Sequence, residues 1–210
     1  MVRYILASAS PRRQELLAQM GLRFTVWPAN GEEVVRDTDP AAVVESLSRQ
    51  KAEEIDGRLE RGERPDAWET GTEASDAVII AADTVVAIDG QILGKPHDRE
   101  EAARMIGQLQ GRTHHVYTGV TVIIREAGGA VRRVTFHDCT EVQVSGMDTD
   151  EISAYVGTGE SDDKAGAYGV QGRFACFIDG IRGSYHNVVG LPVAALYQTL
   201  RKEGMTDGDL

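Results

Sequence analysis

Arg3-Tyr4-Ile5-Leu6-Ala7-Ser8-Ala9-Ser10-Pro11-Arg12-Arg13 reads as an apolar strand, a short Ser-rich loop and the first turn of a helix. Gln14 to Met20 continues that helix amphipathically, and Gly21 closes it. A strand passing straight into a helix is the building unit of an α/β fold. Ser10 suits the N-cap and Pro11 the first helical position, which puts Arg12 and Arg13 at the second and third. There the free backbone N–H groups already carry partial positive charge, and each added cation costs a few tenths of a kcal/mol, up to about 1. Two guanidinium forks at a helix start describe an anion site, most simply for phosphate. The competing reading is a solvated pair of surface arginines.

The remaining chain keeps the alternation. Phe24 to Pro28 predicts a strand, and Asp39-Pro40 starts a helix with apolar residues at Val43, Val44, Leu47, Ala52, Ile55 and Leu59. Arg58 to Ser75 is polar and acidic and reads as a surface loop or helix extension. Ala77 to Ile88 is a long apolar strand turning at Asp89-Gly90 into a short return strand. Asp98 caps a helix to about Gln110, and Thr113 to Arg125 pairs with Val131 to Val144 across Gly128-Gly129. Asp150 to Val156 predicts a short helix and Gly157 to Gly172 a Gly-rich loop. A last hairpin is expected at Asp179-Gly180, a closing helix from Pro192 to Lys202, and a frayed end over Thr206 to Leu210. The hairpins make the predicted sheet mixed.

The 210 residues, 41% hydrophobic and 26% charged, suit one globular body with a real core. A net charge of −11 speaks against nucleic acid or an anionic membrane as partner. A polyphosphate would therefore need a local basic pocket and a divalent cation. No apolar run approaches the roughly 20 residues of a membrane helix, and the start reads as lacking a secretory signal. Cys139 and Cys176 lack metal-like spacing and predict reduced core thiols in a cytoplasmic protein. The histidines at 97, 114, 115, 137 and 186 have no ligand spacing and read as structural or surface residues.

Asp83, inside Ala81-Ala82-Asp83-Thr84-Val85-Val86, is the most informative charge. A carboxylate in so apolar a strand must be paired, protonated or metal-bound, because an unpaired buried charge costs many kcal/mol. A structural Asp bonded to backbone amides is the bland alternative. The Asp89-Gly90 turn folds Lys95 back beside this strand, Lys51 lies on the second helix, and Glu33 follows the second strand. Arg12, Arg13, Lys51 and Lys95 offer cations, while Glu33 and Asp83 offer hard oxygens of the kind Mg²⁺ or Mn²⁺ prefers. Hydrolysis of a phosphoanhydride needs such a set, since positioning and electrostatics supply most of its catalysis. Neither a Walker-type nor a dinucleotide-type Gly motif is present. Glycines at 166, 169 and 172 would let a backbone approach a ligand, and the Gln171 amide, with one acceptor and two donors, complements uracil or thymine. A turn-rich loop with no ligand is the alternative there. Gly183 to Pro192 reads as packing.

In order along the chain, Ser8 to Arg13, Ala82-Asp83-Thr84, Gly94-Lys95-Pro96, Gly111-Arg112-Thr113-His114 with Tyr117-Thr118-Gly119, Asp163 to Gly172 and Val188 to Pro192 resemble the Maf family of nucleoside-triphosphate pyrophosphatases. The resemblance runs from about Tyr4 to Leu200. It implies an inosine-triphosphate-pyrophosphatase-like α/β fold, with residues 1–210 forming a single domain of two lobes around a cleft. It further implies a divalent cation, a homodimer, and release of the monophosphate and pyrophosphate. Asp83 matches the family's catalytic aspartate, and Glu33, Lys51 and Lys95 match further active-site positions. Ser8, Arg12 and Arg13 match the phosphate-side motif.

Family members acting on dTTP and UTP are similar to this chain at Arg12, Thr84 and Gln171; those acting on 7-methyl-GTP carry Trp, Gln and Glu there. The resemblance thus implies dTTP and UTP, with modified pyrimidine nucleotides, in a house-cleaning role. Purine nucleotides of the 7-methyl-GTP or inosine type, or a nucleotide-binding role in cell division, are the alternatives. Three departures stand out: Ala82 for a common Gly, Ser161-Asp162 for a common Pro-Leu, and a longer segment around Glu60 to Ser75. An ordinary Asp, with a pKa near 4, is a poor base at neutral pH. Asp83 is therefore open to two roles, general base and metal ligand.

Overall fold

A computed structural model describes residues 2–68 and 76–206. The first strand and helix are β1 (Arg3–Leu6) and α1 (Pro11–Gln19), followed by β2 (Phe24–Val26) and the long α2 (Pro40–Glu60). Then come β3 (Ala77–Ile88), β4 (Gln91–Leu93), α3 (Arg99–Leu109), β5 (Thr113–Arg125), β6 (Val131–Val144) and α4 (Thr149–Gly157). Two short 3-10 turns, β7 (Ile178–Arg182), α5 (Tyr185–Val189) and α6 (Val193–Lys202) complete the order. The seven strands form one mixed sheet, ordered β2-β1-β3-β5-β6-β7, with β4 on the β1 side of β3. β1 runs parallel to β2 and β3, and the other pairings are antiparallel.

The 12 residues of β3 organise the core. Val78, Ile80 and Ala82 face one side, in a cluster with Leu16, Leu17, Leu196 and Leu200; further along the same face, Val86 and Ile88 join Ile106, Tyr155 and Phe174. On the opposite face Ile79 and Ala81 pack against Ala52 and Ile55, and Val85 against Val43 and Val44. The apolar clusters are therefore interrupted on both faces at the same level, residues 83 and 84. This follows from strand alternation: Asp83 looks to the α2 side and Thr84 to the α1 side.

Asp39 caps α2, its carboxylate accepting from the Ala42 N–H at 3.0 Å, with Pro40 in the first turn. Hydrogen bonds hold the helix down along its length: Glu45 to His137 (2.8 Å), Ser48 to Thr121 (2.9 Å) and Asp56 to Arg133 (2.9 Å), with Arg125 also on Asp56. Gly119, opposite Asp83 in the β3–β5 ladder, allows the closest approach, because a Cβ there would lie 2.3 Å from the Val44 carbonyl.

Several expectations need correction. Asp179-Gly180 is no hairpin turn; both residues lie inside β7, where Gly180 pairs with Gln143 beside a register irregularity. The preceding chain is a 3-10 turn, Arg173–Phe177, so no strand precedes them to fold back. Cys139 and Cys176 are exposed free thiols, not core residues. Ser10 occupies the N-cap of α1 but its side chain makes no capping bond; instead the Ser8 hydroxyl accepts from the Ser10 N–H at 3.3 Å. The part of the expected 58–75 loop beyond residue 68, and of the expected frayed end beyond Thr206, lies outside the described residues.

Candidate active site

The edge of β3 carries two partners in succession. β1 pairs with it as far as Leu6 opposite Ile80, and the Ala7 N–H reaches the Ile80 carbonyl; β4 takes over only at Val86 opposite Leu93. Between these partners lies a short uncovered stretch containing Asp83 and Thr84. The chain leaving β1, Ser8 to Arg13, passes this opening, and Gly94-Lys95 leaves β4 at its other side.

On the α2 side, Lys51 joins two carboxylates. Its ammonium contacts Asp83 Oδ1 and stands 3.0 Å from Glu33 Oε1. The Lys51 and Asp83 side chains are largely buried, whereas Glu33 is half-exposed in a loop without regular structure. The pairing satisfies the charge that the apolar strand demanded. Asp83 Oδ2 accepts no hydrogen bond from the described residues, so one carboxylate oxygen is available.

On the α1 side, Arg13 spreads its fork over three acceptors: Nε to the Gly190 carbonyl (2.8 Å), Nη1 to Ser8 Oγ (3.3 Å) and Nη2 to Thr84 Oγ1 (3.0 Å). Thr84 Oγ1 in turn lies 3.0 Å from Thr118 Oγ1, which donates to the Asn187 carbonyl. Burial lowers the Arg13 pKa from its usual value, the Asp83 carboxylate opposes that, Arg12 adds to it, and Glu33 opposes it. Asp83 and Thr84, adjacent on β3, place Lys51 and the Arg13 fork on the two faces of the same open strand edge. Three of the five guanidinium N–H donors are used, which leaves two.

Arg12 sits apart from this network, 3.9 Å from Asp163 Oδ2. Desolvation would raise the Asp163 pKa, but the Lys164 hydrogen bond and charge, with Arg12, bring it below the usual carboxylate value. Lys95 and Gln171 are exposed and make no ion pair or hydrogen bond with the described residues. The loop of Gln171 is tied to the Lys95 segment by the Gly166 N–H, which donates to the Gly94 carbonyl at 3.0 Å. Its glycines serve packing rather than an open approach to a ligand. A Cβ at Gly166 would meet Val86 at 2.8 Å, at Gly169 the Lys164 side chain at 2.8 Å, and at Gly172 the Glu160 carboxylate at 2.1 Å. Of the departing pair Ser161-Asp162, Ser161 is buried and Asp162 is exposed.

Residue order alone leaves Thr118, Asn187 and Gly190 unassigned, and the last two read as packing. The signal for Thr118 is its place on β5, in register with Thr84. Gly190 has a φ of +125°, a backbone state that L side chains rarely adopt, which turns its carbonyl toward Arg13.

The donor set fits a divalent cation of the Mg²⁺ type. Two carboxylates of separate segments converge on one ammonium, although among the described residues no group of three or more His, Cys, Asp or Glu is placed to hold a metal ion. Mg²⁺ is characteristically bound through one or two carboxylates plus substrate phosphates, with waters retained.

A profile of the Maf-like protein family matches residues 3–203. A protein of Agathobacter rectalis called dTTP/UTP pyrophosphatase is 52% identical over 206 residues, covering 98% of this chain and 99% of its own. One of the same description from Pelotomaculum thermopropionicum is 47% identical over 205 residues, covering 97% and 98%. Among solved structures, a HAM1 protein of Coxiella burnetii has a TM-score of 0.46 at 15% identity, covering 96% of this chain and 100% of that one. At that score the topology above, not the neighbour, defines the fold. With a family match spanning nearly every element that builds the opening beside Asp83, the chain belongs to the Maf family.

Proposed function

We propose that this protein hydrolyses dTTP and UTP to the nucleoside monophosphate and pyrophosphate. The observation that carries the reading is the convergence of Glu33 and Asp83 on Lys51 beside the Arg13 fork, at an open strand edge. The description of relatives at up to 52% identity supports the substrate. In the reaction a water oxygen bonds to the α-phosphorus, the bond from that phosphorus to the bridging oxygen breaks, and pyrophosphate leaves.

Arg12, Arg13, Lys51 and Lys95 neutralise the polyphosphate, and the Ser8 hydroxyl adds a donor beside them. Glu33 and Asp83 would hold Mg²⁺ or Mn²⁺, which supplies further neutralisation of the phosphate charge. Asp83 Oδ2 accepts the proton of the attacking water or serves as a cation ligand. Thr84 and Gln171 select the base, Gln171 through an amide edge that pairs with uracil or thymine. Arg12 takes part in that selection from the phosphate side.

We read residues 1–210 as one domain whose lobes meet at the level of residues 83 and 84, and the working form as a homodimer. No nucleic acid or membrane partner is assigned; among the described residues no helix is long and apolar enough to cross a membrane. Two free cysteines suit the reducing cytoplasm.

A hydrolysis panel of dTTP, UTP, 7-methyl-GTP and ITP with Mg²⁺ or Mn²⁺ and pyrophosphate detection tests the reading. Preferential turnover of dTTP and UTP is expected. Preference for the purine nucleotides, or binding of dTTP without pyrophosphate release, overturns it.

A further inference from the structure

Glu33 stands in a stretch, residues 27–38, without helix or strand, yet it is held opposite Lys51. Two side chains of α2 account for that. The Gln50 amide reads the Val34 backbone in both directions: its Oε1 accepts from the Val34 N–H at 2.9 Å and its Nε2 donates to the Val34 carbonyl at 2.9 Å. Nε2 also donates to Ser46 Oγ at 3.2 Å, which fixes the amide on its own helix. One turn further on, the Glu54 carboxylate accepts from two consecutive N–H groups, Asn30 to Oε1 at 2.9 Å and Gly31 to Oε2 at 2.8 Å. A Cβ on Gly31 would come within 2.9 Å of that carboxylate.

We infer that Gln50 and Glu54 are positioning residues that hold Glu33 in the reactive site through the backbone of residues 30–34. The inference rests on the proposed role of Glu33. Gln50 and Glu54 lie one helical turn apart and flank Lys51 in sequence, so the residues that grip the loop share a rigid helix with the lysine that Glu33 faces. The two grips fall on either side of Glu33 in the chain. An exposed loop has little else to fix it, since residues 31–39 are all exposed. Side-chain amides and carboxylates here replace the ladder that a strand partner would provide.

The test compares Gln50→Ala, Glu54→Gln and Glu33→Gln, singly and with each grip variant combined with Glu33→Gln, by dTTP kinetics and amide hydrogen exchange. Glu53→Gln, an exposed carboxylate on the same helix, is the control and should match wild type. Each grip variant should lower kcat/KM about tenfold or more and speed exchange at residues 30–34 alone. In the Glu33→Gln background the same changes should cost no more than about twofold, because the residue they position no longer acts. Equal losses in both backgrounds, or faster exchange with undiminished kcat/KM, overturn the inference. If Glu33→Gln itself keeps full turnover, the role of Glu33 and this inference fall together. If only Glu33→Gln loses turnover, the inference alone falls.

Discussion

Gly119 stands directly opposite Asp83 in the β3–β5 ladder, and the backbone of α2 at Val44 presses into the space its missing side chain leaves. The depth at which the helix lies on the sheet, and so the height of Lys51 above Asp83, depends on that contact. Gly119→Ala should lift α2, costing about 1–3 kcal/mol by overpacking. Denaturant unfolding will show the lost stability. Turnover should fall further than stability predicts, because Lys51 loses its place beside Asp83.

Asp83→Asn should abolish pyrophosphate release while dTTP still binds, as calorimetry can establish. The amide keeps the shape of the carboxylate but carries no charge for Lys51 or a cation. Near-normal turnover in this variant would remove Asp83 from the chemistry.

Arg13 and Arg12 should behave differently. Arg13→Ala frees the Gly190 carbonyl, Ser8 and Thr84 at once, so all nucleotides should lose affinity alike and the melting temperature should drop. Arg13→Lys should rescue little, since an ammonium cannot reproduce the three-way fork. Among the described residues Arg12 makes only a long ion pair, to an exposed Asp163, so Arg12→Trp should chiefly change the ratio of dTTP to 7-methyl-GTP turnover. Equal, base-independent losses from both substitutions would make Arg12 a plain phosphate clamp.

His114 predicts an acid-side loss of stability. It is fully buried, its Nε2 lies 2.7 Å from the Tyr168 hydroxyl, and its Nδ1 has no partner among the described residues. Burial, helped by neighbouring His115, lowers its pKa from 6.5 to about 4. Between those values the unfolded chain binds a proton that the folded one refuses, so stability rises with pH across that window. The loss is complete below about pH 4, where both states are protonated. From about pH 6.5 to about 5 it should reach roughly 1.5 kcal/mol. Urea unfolding of wild type and His114→Gln across this range should show the variant's dependence flattened by that amount.

Much of this architecture is legible from residue order because it depends on local signals. The periodicity of Val43, Val44, Leu47, Ala52, Ile55 and Leu59 marks the buried face of α2, and Asp83 is conspicuous because its neighbours are apolar. Other features depend on which strand lies next to which. Asp179-Gly180 carries a turn signal, yet β6 recruits it into a strand. Cys139 reads as a core residue until the register sets it beside Tyr117 on an exposed position. Gln50 and Glu54 are indistinguishable from a solvated helix face until residues 30–34 come to lie against them. Gly190 gives no hint of its carbonyl's partner, 177 residues away.

Asp83 and Thr84 are adjacent in the chain but serve opposite faces of the sheet, one toward Lys51 and the other toward Arg13. An insertion or deletion of a single residue earlier in β3 would exchange them, turning the carboxylate toward the arginine and the hydroxyl toward the lysine. Lengthening the chain before Ala77 leaves the phase of the strand intact, whereas lengthening it between Ala77 and Asp83 does not. The run from Val78 to Asp83 therefore admits no change of length if both side chains are to keep their faces.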